Sequence, residues 1–153
     1  MDEDLIRDLA TRFREALESF ERQTLPIQFR EFPRGSCGDT SLLLGTYLQE
    51  QGQGEFTYIC GLRGEGHLRR SHAWIERDGL TVDITADQFE DAGAAVIVAR
   101  QSAFHLSFER SDAYIANYRQ GGNDATSAEL EGVYRRILEH LGRRHEPACR
   151  RRQ

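Results

Sequence analysis

The fold is decided by the stretch Ser71-His72-Ala73-Trp74-Ile75-Glu76-Arg77-Asp78-Gly79-Leu80-Thr81-Val82-Asp83-Ile84-Thr85. Within it, Asp78-Gly79 stands between two runs in which apolar and polar residues alternate. This dipeptide in this setting is the strongest short signal for a β-hairpin with a two-residue turn. Such a turn fixes the strand register and predicts four cross-strand pairs: Arg77 with Leu80, Ile75 with Val82, Trp74 with Asp83, and Ala73 with Ile84.

In this register the side chains of the hairpin divide between two faces. The apolar face holds Ala73, Ile75, Val82 and Ile84. The other face holds His72, Trp74, Glu76, Thr81, Asp83 and Thr85. Because His72 and Asp83 are diagonal neighbours on that second face, their side chains are within reach of a hydrogen bond. Trp74 lies beside them, and we expect it either to shield the pair and line a substrate site or simply to pack.

A helix is predicted directly after Cys37. The residues Gly38-Asp39-Thr40-Ser41 contain the types that favour a helix N-terminus, and Gln51-Gly52-Gln53-Gly54 is a stop signal. Cys37 is therefore expected in the first helical turn, where unpaired N–H groups and the helix dipole stabilise a thiolate and a developing oxyanion. The alternative is a buried structural cysteine. That alternative suits Cys60, which follows an apolar run, better than it suits Cys37.

Cys37, His72 and Asp83 together have the composition of a catalytic triad. A cysteine attacks as its thiolate, and an adjacent imidazole can take the thiol proton. A carboxylate can orient that imidazole and stabilise its charged form. The sequence therefore predicts Cys37 as nucleophile, His72 as base and Asp83 as orienting group.

Other residues compete for these roles. Asp87 is a rival to Asp83 but falls beyond the predicted strand. His105 is expected to be a partly buried strand histidine. Gln28 is available as a side-chain donor to an oxyanion, although no motif locates it. Two further alternatives have weaker patterns: a serine nucleophile at Ser36 or Ser41 lacks a Gly-x-Ser-x-Gly elbow, and a zinc site at Cys60, His67 and His72 lacks paired ligand spacing.

Three segments resemble the catalytic core of the transglutaminase-like superfamily, which is related to the papain-like cysteine proteases. They are Arg34-Gly35-Ser36-Cys37 before a helix, His72-Ala73-Trp74 on a strand, and Val82-Asp83-Ile84-Thr85 on the next strand. The resemblance extends over residues 27–100, and Ile84 stands where proline is common in the family. It implies an α+β domain in which helices flank an antiparallel sheet. It also implies the same three roles for Cys37, His72 and Asp83.

The resemblance implies acyl transfer from a peptide or protein amide to the thiol, and then to water or an amine. Bacterial members of the superfamily are often proteases, amidases or deamidases, so the reaction stays open among these and transglutamination. No cofactor or metal is implied. An alternative of another class is a catalytically inactive module that kept the fold and acts through protein–protein contacts.

Length, charge and cysteine count limit the domain organisation, the kinds of partner and the cellular compartment that we expect. The 153 residues suggest one domain over residues 1–145 and an arginine-rich tail over residues 146–153. Residues 135–152 carry a formal charge of +5 against −10 on the rest of the chain, which is unlike the basic face of a nucleic-acid-binding domain. No apolar run suits a membrane span, and three cysteines fit a reducing cytoplasm better than a disulfide framework.

The remaining segments predict further helices and strands around the hairpin. Apolar residues at helical spacing predict one amphipathic helix from Leu5 to Phe20 and another from Ser127 to Leu141, after a break at residues 121–124. Short strands are predicted at Phe56–Leu62 and Ala94–Ala99. Residues 104–118 are rich in aromatic residues and fit either a strand or a helix.

Overall fold

The hairpin lies within a five-stranded antiparallel sheet. In the computed structural model, which describes residues 1–120 and 124–144, the strands have the order β4-β3-β2-β1-β5. The strands are β1 (Thr57–Arg63), β2 (Arg70–Arg77), β3 (Leu80–Asp83), β4 (Ile97–Ala99) and β5 (Glu109–Ile115). The helices are α1 (Glu3–Ser19), α2 (Cys37–Glu50), α3 (Ala103–Leu106) and α4 (Asp124–Arg144). The predicted class, α+β with an antiparallel sheet and helices, is confirmed.

The strand register of the hairpin agrees with the prediction. The structure pairs Arg77 with Leu80 and Ile75 with Val82. The turn residues Asp78 and Gly79 have φ angles of 48° and 79°, the left-handed conformation that a type I′ turn requires at both positions. The dipeptide therefore sets the register because it supplies the two residues that tolerate this backbone.

Both faces of the sheet are covered, although the alternation in the sequence predicted one apolar and one polar face. The apolar face packs against α1, α2 and α4 in the main core. The opposite face is covered by a smaller cluster, which we call the aromatic layer: Ile59, Trp74, Ala86, Phe89, Phe104 and Phe108. Polar side chains on that face therefore lie inside the protein rather than in solvent.

The aromatic-rich segment at residues 104–118, for which the sequence fits either a strand or a helix, contains parts of both. Residues 103–106 form the short helix α3, and residues 109–115 form the edge strand β5. Phe104 and Phe108 come from this segment and fold back over the sheet. The predicted tail at residues 146–153 lies outside the described residues. The predicted break covers residues 121–124, of which the structure describes only Asp124, the first residue of α4.

Helix α2 approaches the chain after β5 very closely at Gly45. A side chain there would collide with the Cβ and carbonyl oxygen of Ala116. This approach holds α2 against the sheet and so positions Cys37, the first residue of the helix.

We predict that Gly45→Ala lowers the free energy of unfolding by about 1–3 kcal/mol, because the added methyl group has no space. Gly132→Ala is the matched control, since Gly132 also lies in a helix and a Cβ there meets nothing within 4 Å. The control should raise the free energy of unfolding by up to about 1 kcal/mol through helix propensity. Denaturant titration of both variants checks the pair, and equal effects would contradict the close approach.

Candidate active site

His72 and Asp83 form a buried hydrogen-bonded pair at one end of the hairpin. His72 Nε2 lies 2.6 Å from Asp83 Oδ2. The exposed fractions of the two residues are 0 % and 2 %. Asp83 Oδ1 accepts hydrogen bonds from the backbone N–H of Thr85 at 2.8 Å and from its hydroxyl at 3.2 Å. The carboxylate is therefore held on both oxygens, and its aim at the imidazole is fixed.

A second histidine, whose contact with Asp83 the sequence did not predict, hydrogen-bonds with the same carboxylate. His105 Nε2 lies 2.7 Å from Asp83 Oδ2, and its Nδ1 lies 2.6 Å from the Ser102 hydroxyl. His105 lies on α3 and is buried, whereas the sequence favoured a strand position. The only signal in the sequence was a histidine inside an aromatic-rich segment, and this does not reveal which face that segment covers.

The electrostatics of the buried pair favour charged groups. Burial acts to raise the pKa of Asp83, but hydrogen bonds from His105 and His72 outweigh it and hold that pKa well below its ordinary value. Burial acts to lower the pKa of His72, but hydrogen bonds with Asp83 and Cys37 raise it to about 9. Both shifts favour an ionised carboxylate at Asp83 and a protonated imidazole at His72.

Cys37 lies next to His72, at the position the sequence predicted for it. It is the first residue of α2 and is half-buried. Its thiol lies close enough to the imidazole to contribute to the raised pKa of His72. The first N–H groups of a helix have no partner within the helix, so they surround the thiol with donors. The structure thus brings Cys37, His72 and Asp83 together, from α2, β2 and β3.

Gln88 is a further polar group at the imidazole that the sequence did not single out. Its side-chain nitrogen lies 3.3 Å from His72 Nδ1 and donates to the Thr85 carbonyl oxygen at 3.1 Å. Because that carbonyl can only accept, the amide must present N–H groups here. The Gln88 nitrogen therefore cannot accept a hydrogen bond from a protonated His72 Nδ1.

Gln28, the donor considered from the sequence, has other partners. Its side-chain nitrogen lies 3.3 Å from Glu129 Oε2, and the same side chain hydrogen-bonds with Asp39. Burial raises the pKa of Asp39, and the hydrogen bond from Gln28 opposes this rise. The Gln28 side chain therefore interacts with the carboxyl groups of Glu129 and Asp39, whereas the Gln88 amide contacts the His72 imidazole.

Trp74 is an interior residue. Its exposed fraction is 1 %, its indole N–H donates to Glu76 at 2.9 Å, and its ring centroid lies 5.8 Å from that of His72. The shielding of His72 that the sequence predicted agrees with this position. A substrate in solvent does not reach the indole, so the burial gives no support to a substrate-binding role.

Asp87, the rival carboxylate, belongs to a different interaction. Its two oxygens accept hydrogen bonds of 2.7 and 2.8 Å from the guanidinium of Arg14, in a two-point contact. Within the described part of the chain, Asp83 hydrogen-bonds with His72, whereas Asp87 hydrogen-bonds with Arg14.

The two histidines and Asp83 are also the one group in residues 1–120 and 124–144 with the spacing of a possible metal site. Ligand atoms around a tetrahedral zinc ion lie about 3.3 Å apart, because each bond to the metal is about 2.0 Å long. Here both imidazole nitrogens meet one carboxylate oxygen at 2.6 and 2.7 Å, which are hydrogen-bond distances. The arrangement fits a hydrogen-bonded chain better than a metal centre.

A groove with a volume of about 590 Å³ lies beside α2. Its lining is mostly apolar: Leu42, Tyr114, Ile115, Asn117 and Gln120. Tyr114 stacks on Tyr58 with ring centroids 4.5 Å apart, and a Cβ at Gly38 would lie 3.2 Å from the Tyr58 hydroxyl. The groove is thereby connected, through two tyrosines, to the residue that follows Cys37.

Comparison with known proteins adds no assignment to this geometry. No family model, curated protein or solved structure matches the chain. Within the described part of the chain, no helix has the length and apolar character needed to cross a membrane. The site must therefore be interpreted from its own residues.

We predict that Asp83→Asn slows alkylation of Cys37 by iodoacetamide near neutral pH by at least about tenfold, because the charge that stabilises His72 is lost. Asp87→Asn is the matched control. It removes one charge from a partner of Arg14 and should lower the melting temperature while leaving the alkylation rate unchanged. If Asp87→Asn proves the more damaging to alkylation, the assignment of Asp83 is wrong.

Proposed function

We propose that this protein is a transglutaminase-like cysteine enzyme that transfers an acyl group from an amide to Cys37, and then to water or an amine. The observation that supports this proposal is the position of His72. The imidazole lies beside a thiol at a helix N-terminus and hydrogen-bonds with a buried carboxylate. This combination is what nucleophilic catalysis by cysteine requires.

In the first half of the reaction the Cys37 thiolate attacks the amide carbonyl carbon. A C–S bond forms, the carbonyl oxygen becomes an oxyanion, and the C–N bond then breaks. His72, protonated at Nδ1, gives that proton to the leaving nitrogen, so an amine departs and a thioester stays on the enzyme. Asp83 keeps the imidazole directed at the reacting atoms throughout.

In the second half a water molecule or an amine attacks the thioester. His72, now neutral at Nδ1, takes a proton from the attacking group, the C–S bond breaks, and the thiolate–imidazolium pair is restored. Attack by water makes the reaction hydrolysis or deamidation, and attack by an amine makes it crosslinking. The choice depends on which acceptor reaches the thioester.

Two kinds of donor are available for the oxyanion. The first-turn N–H groups of α2 are next to Cys37, and the Gln88 amide lies 3.3 Å from His72 Nδ1. Donors that are fixed before the reaction stabilise developing charge effectively in a site with little water. The aromatic layer behind His72 restricts water on that side.

One observation favours an inactive binding module as the second candidate. The Gln88 amide lies at His72 Nδ1, the atom that must exchange a proton with the thiol. A module that had lost catalysis could keep this contact permanently. Such a module would have an ordinary thiol at Cys37, whereas an enzyme would have a reactive one.

The experiment that tests the proposal is alkylation of the folded protein with iodoacetamide at about pH 6, followed by peptide mapping. We expect selective labelling of Cys37 over Cys60 and Cys149, because Cys37 combines a helix N-terminus with a nearby imidazole. His72→Gln should abolish the selectivity. Equal labelling of the three cysteines, or none at Cys37, would contradict the enzyme proposal and favour the binding module.

A further inference from the structure

We propose that His105 is a positioning residue for the reaction: it holds the Asp83 carboxylate in the orientation in which that carboxylate can serve His72. The inference rests on the proposed function, since it concerns the same site. It extends the site to a hydrogen-bonded chain of four groups, Ser102, His105, Asp83 and His72, with Cys37 beside the last of them.

The contacts in this chain are short and shielded from solvent. Ser102 to His105 is 2.6 Å, His105 to Asp83 is 2.7 Å, and Asp83 to His72 is 2.6 Å. The exposed fraction of His105 is 4 %. Ser102 is the N-cap of α3, and its hydroxyl accepts from the backbone N–H of His105 at 3.4 Å. The short helix is therefore attached to the site through both the backbone and the ring of one residue.

The donors and acceptors around His105 limit its role in the reaction. The ionised Asp83 carboxylate can only accept, so both imidazoles must present an Nε2–H to it. His105 Nδ1 faces a hydroxyl, which can donate or accept, so its Nε2–H is kept whether the ring is neutral or charged. His105 has no route to the thiol other than through Asp83 among these contacts. It therefore acts through orientation and not as a proton donor to the substrate.

Asp83 depends on this second donor because the carboxylate is buried. A buried charge needs several hydrogen bonds to remain ionised, and removing one partner leaves an unpaired lone pair in the interior. Thr85 satisfies Oδ1, and Oδ2 has its bonds from the two histidines. Without His105, Oδ2 can turn away from His72 toward another donor, and the imidazole loses its fixed direction.

Other charged groups lie near this hydrogen-bonded chain, and a test must leave them unchanged. Behind His72, the aromatic layer is capped by Arg63, whose guanidinium lies 4.6 Å from the Phe108 ring centroid, and by Arg70, 4.3 Å from that of Phe89. Asp91 pairs with Arg63 on the outer side. Cys37 lies beside His72 from α2, and Glu76, Arg100 and Arg110 line a pocket together with His105. A substitution at His105 changes none of these groups.

The test compares two substitutions of His105. His105→Phe keeps a planar ring but removes the donor. His105→Gln keeps an N–H donor in the place of Nε2. We expect His105→Phe to move the pH profile of Cys37 alkylation upward by about one unit, which is about a tenfold lower rate on its rising limb. His105→Gln should stay within about threefold of the wild type, and so should the control His67→Gln, since His67 is exposed.

The outcomes separate the inference from the proposed function. If wild-type Cys37 is unreactive, the proposed function fails. If wild-type Cys37 is selective but His105→Phe leaves the pH profile in place while lowering the melting temperature, His105 is only structural and the inference is overturned. A stoichiometric metal ion on the purified protein also overturns it, because ligation would then explain the cluster.

A second measurement covers the case in which His105→Phe does not fold. In the wild-type protein, proton NMR should show two ring N–H signals shifted far downfield and slow to exchange with solvent, one from His72 and one from His105. Assignment by His105→Gln should remove one of them. A single such signal in the wild type would contradict the shared carboxylate.

Discussion

The structure depends on one buried charge, the carboxylate of Asp83. Only 2 % of this residue is exposed, and an isolated ion in such a place would be strongly destabilising. Four hydrogen bonds offset that cost, and they come from three parts of the chain: β2, the turn after β3, and α3. The hairpin, the short helix and the aromatic layer must therefore assemble together, since each supplies a donor or excludes water.

The two faces of the sheet have separate tasks. The face with Ala73 and Ile75 packs against α1, α2 and α4 and sets where the nucleophile helix begins. The face with His72 and Trp74 holds the polar chain under the aromatic layer. Because Gly45 lets α2 approach the chain after β5, the helix start reaches the end of the hairpin where His72 lies. Cys37 and His72 meet at the junction of these two halves.

The sequence predicted the parts of the site that local rules control. Asp78-Gly79 determines the turn, alternation determines the register, and the register places Asp83 diagonally from His72. Cys37 at the start of α2 followed from helix-terminus signals. His105 and Gln88 were missed because their partners are set by how segments after β3 and β4 fold over the sheet. The packing of Trp74 was one of its two expected roles, whereas the cluster that covers it was not predicted, since strand alternation does not reveal what covers a face.

The central claim is that His72 is held as a charged imidazole between Asp83 and Cys37, and NMR titration of the His72 ring tests it most directly. The account predicts a His72 pKa of about 9 in the wild-type protein. It also predicts a lower value in Cys37→Ala, because the thiol contributes to the raised pKa. A ring that titrates near the ordinary histidine value of about 6.5, unchanged by Cys37→Ala, would contradict the account.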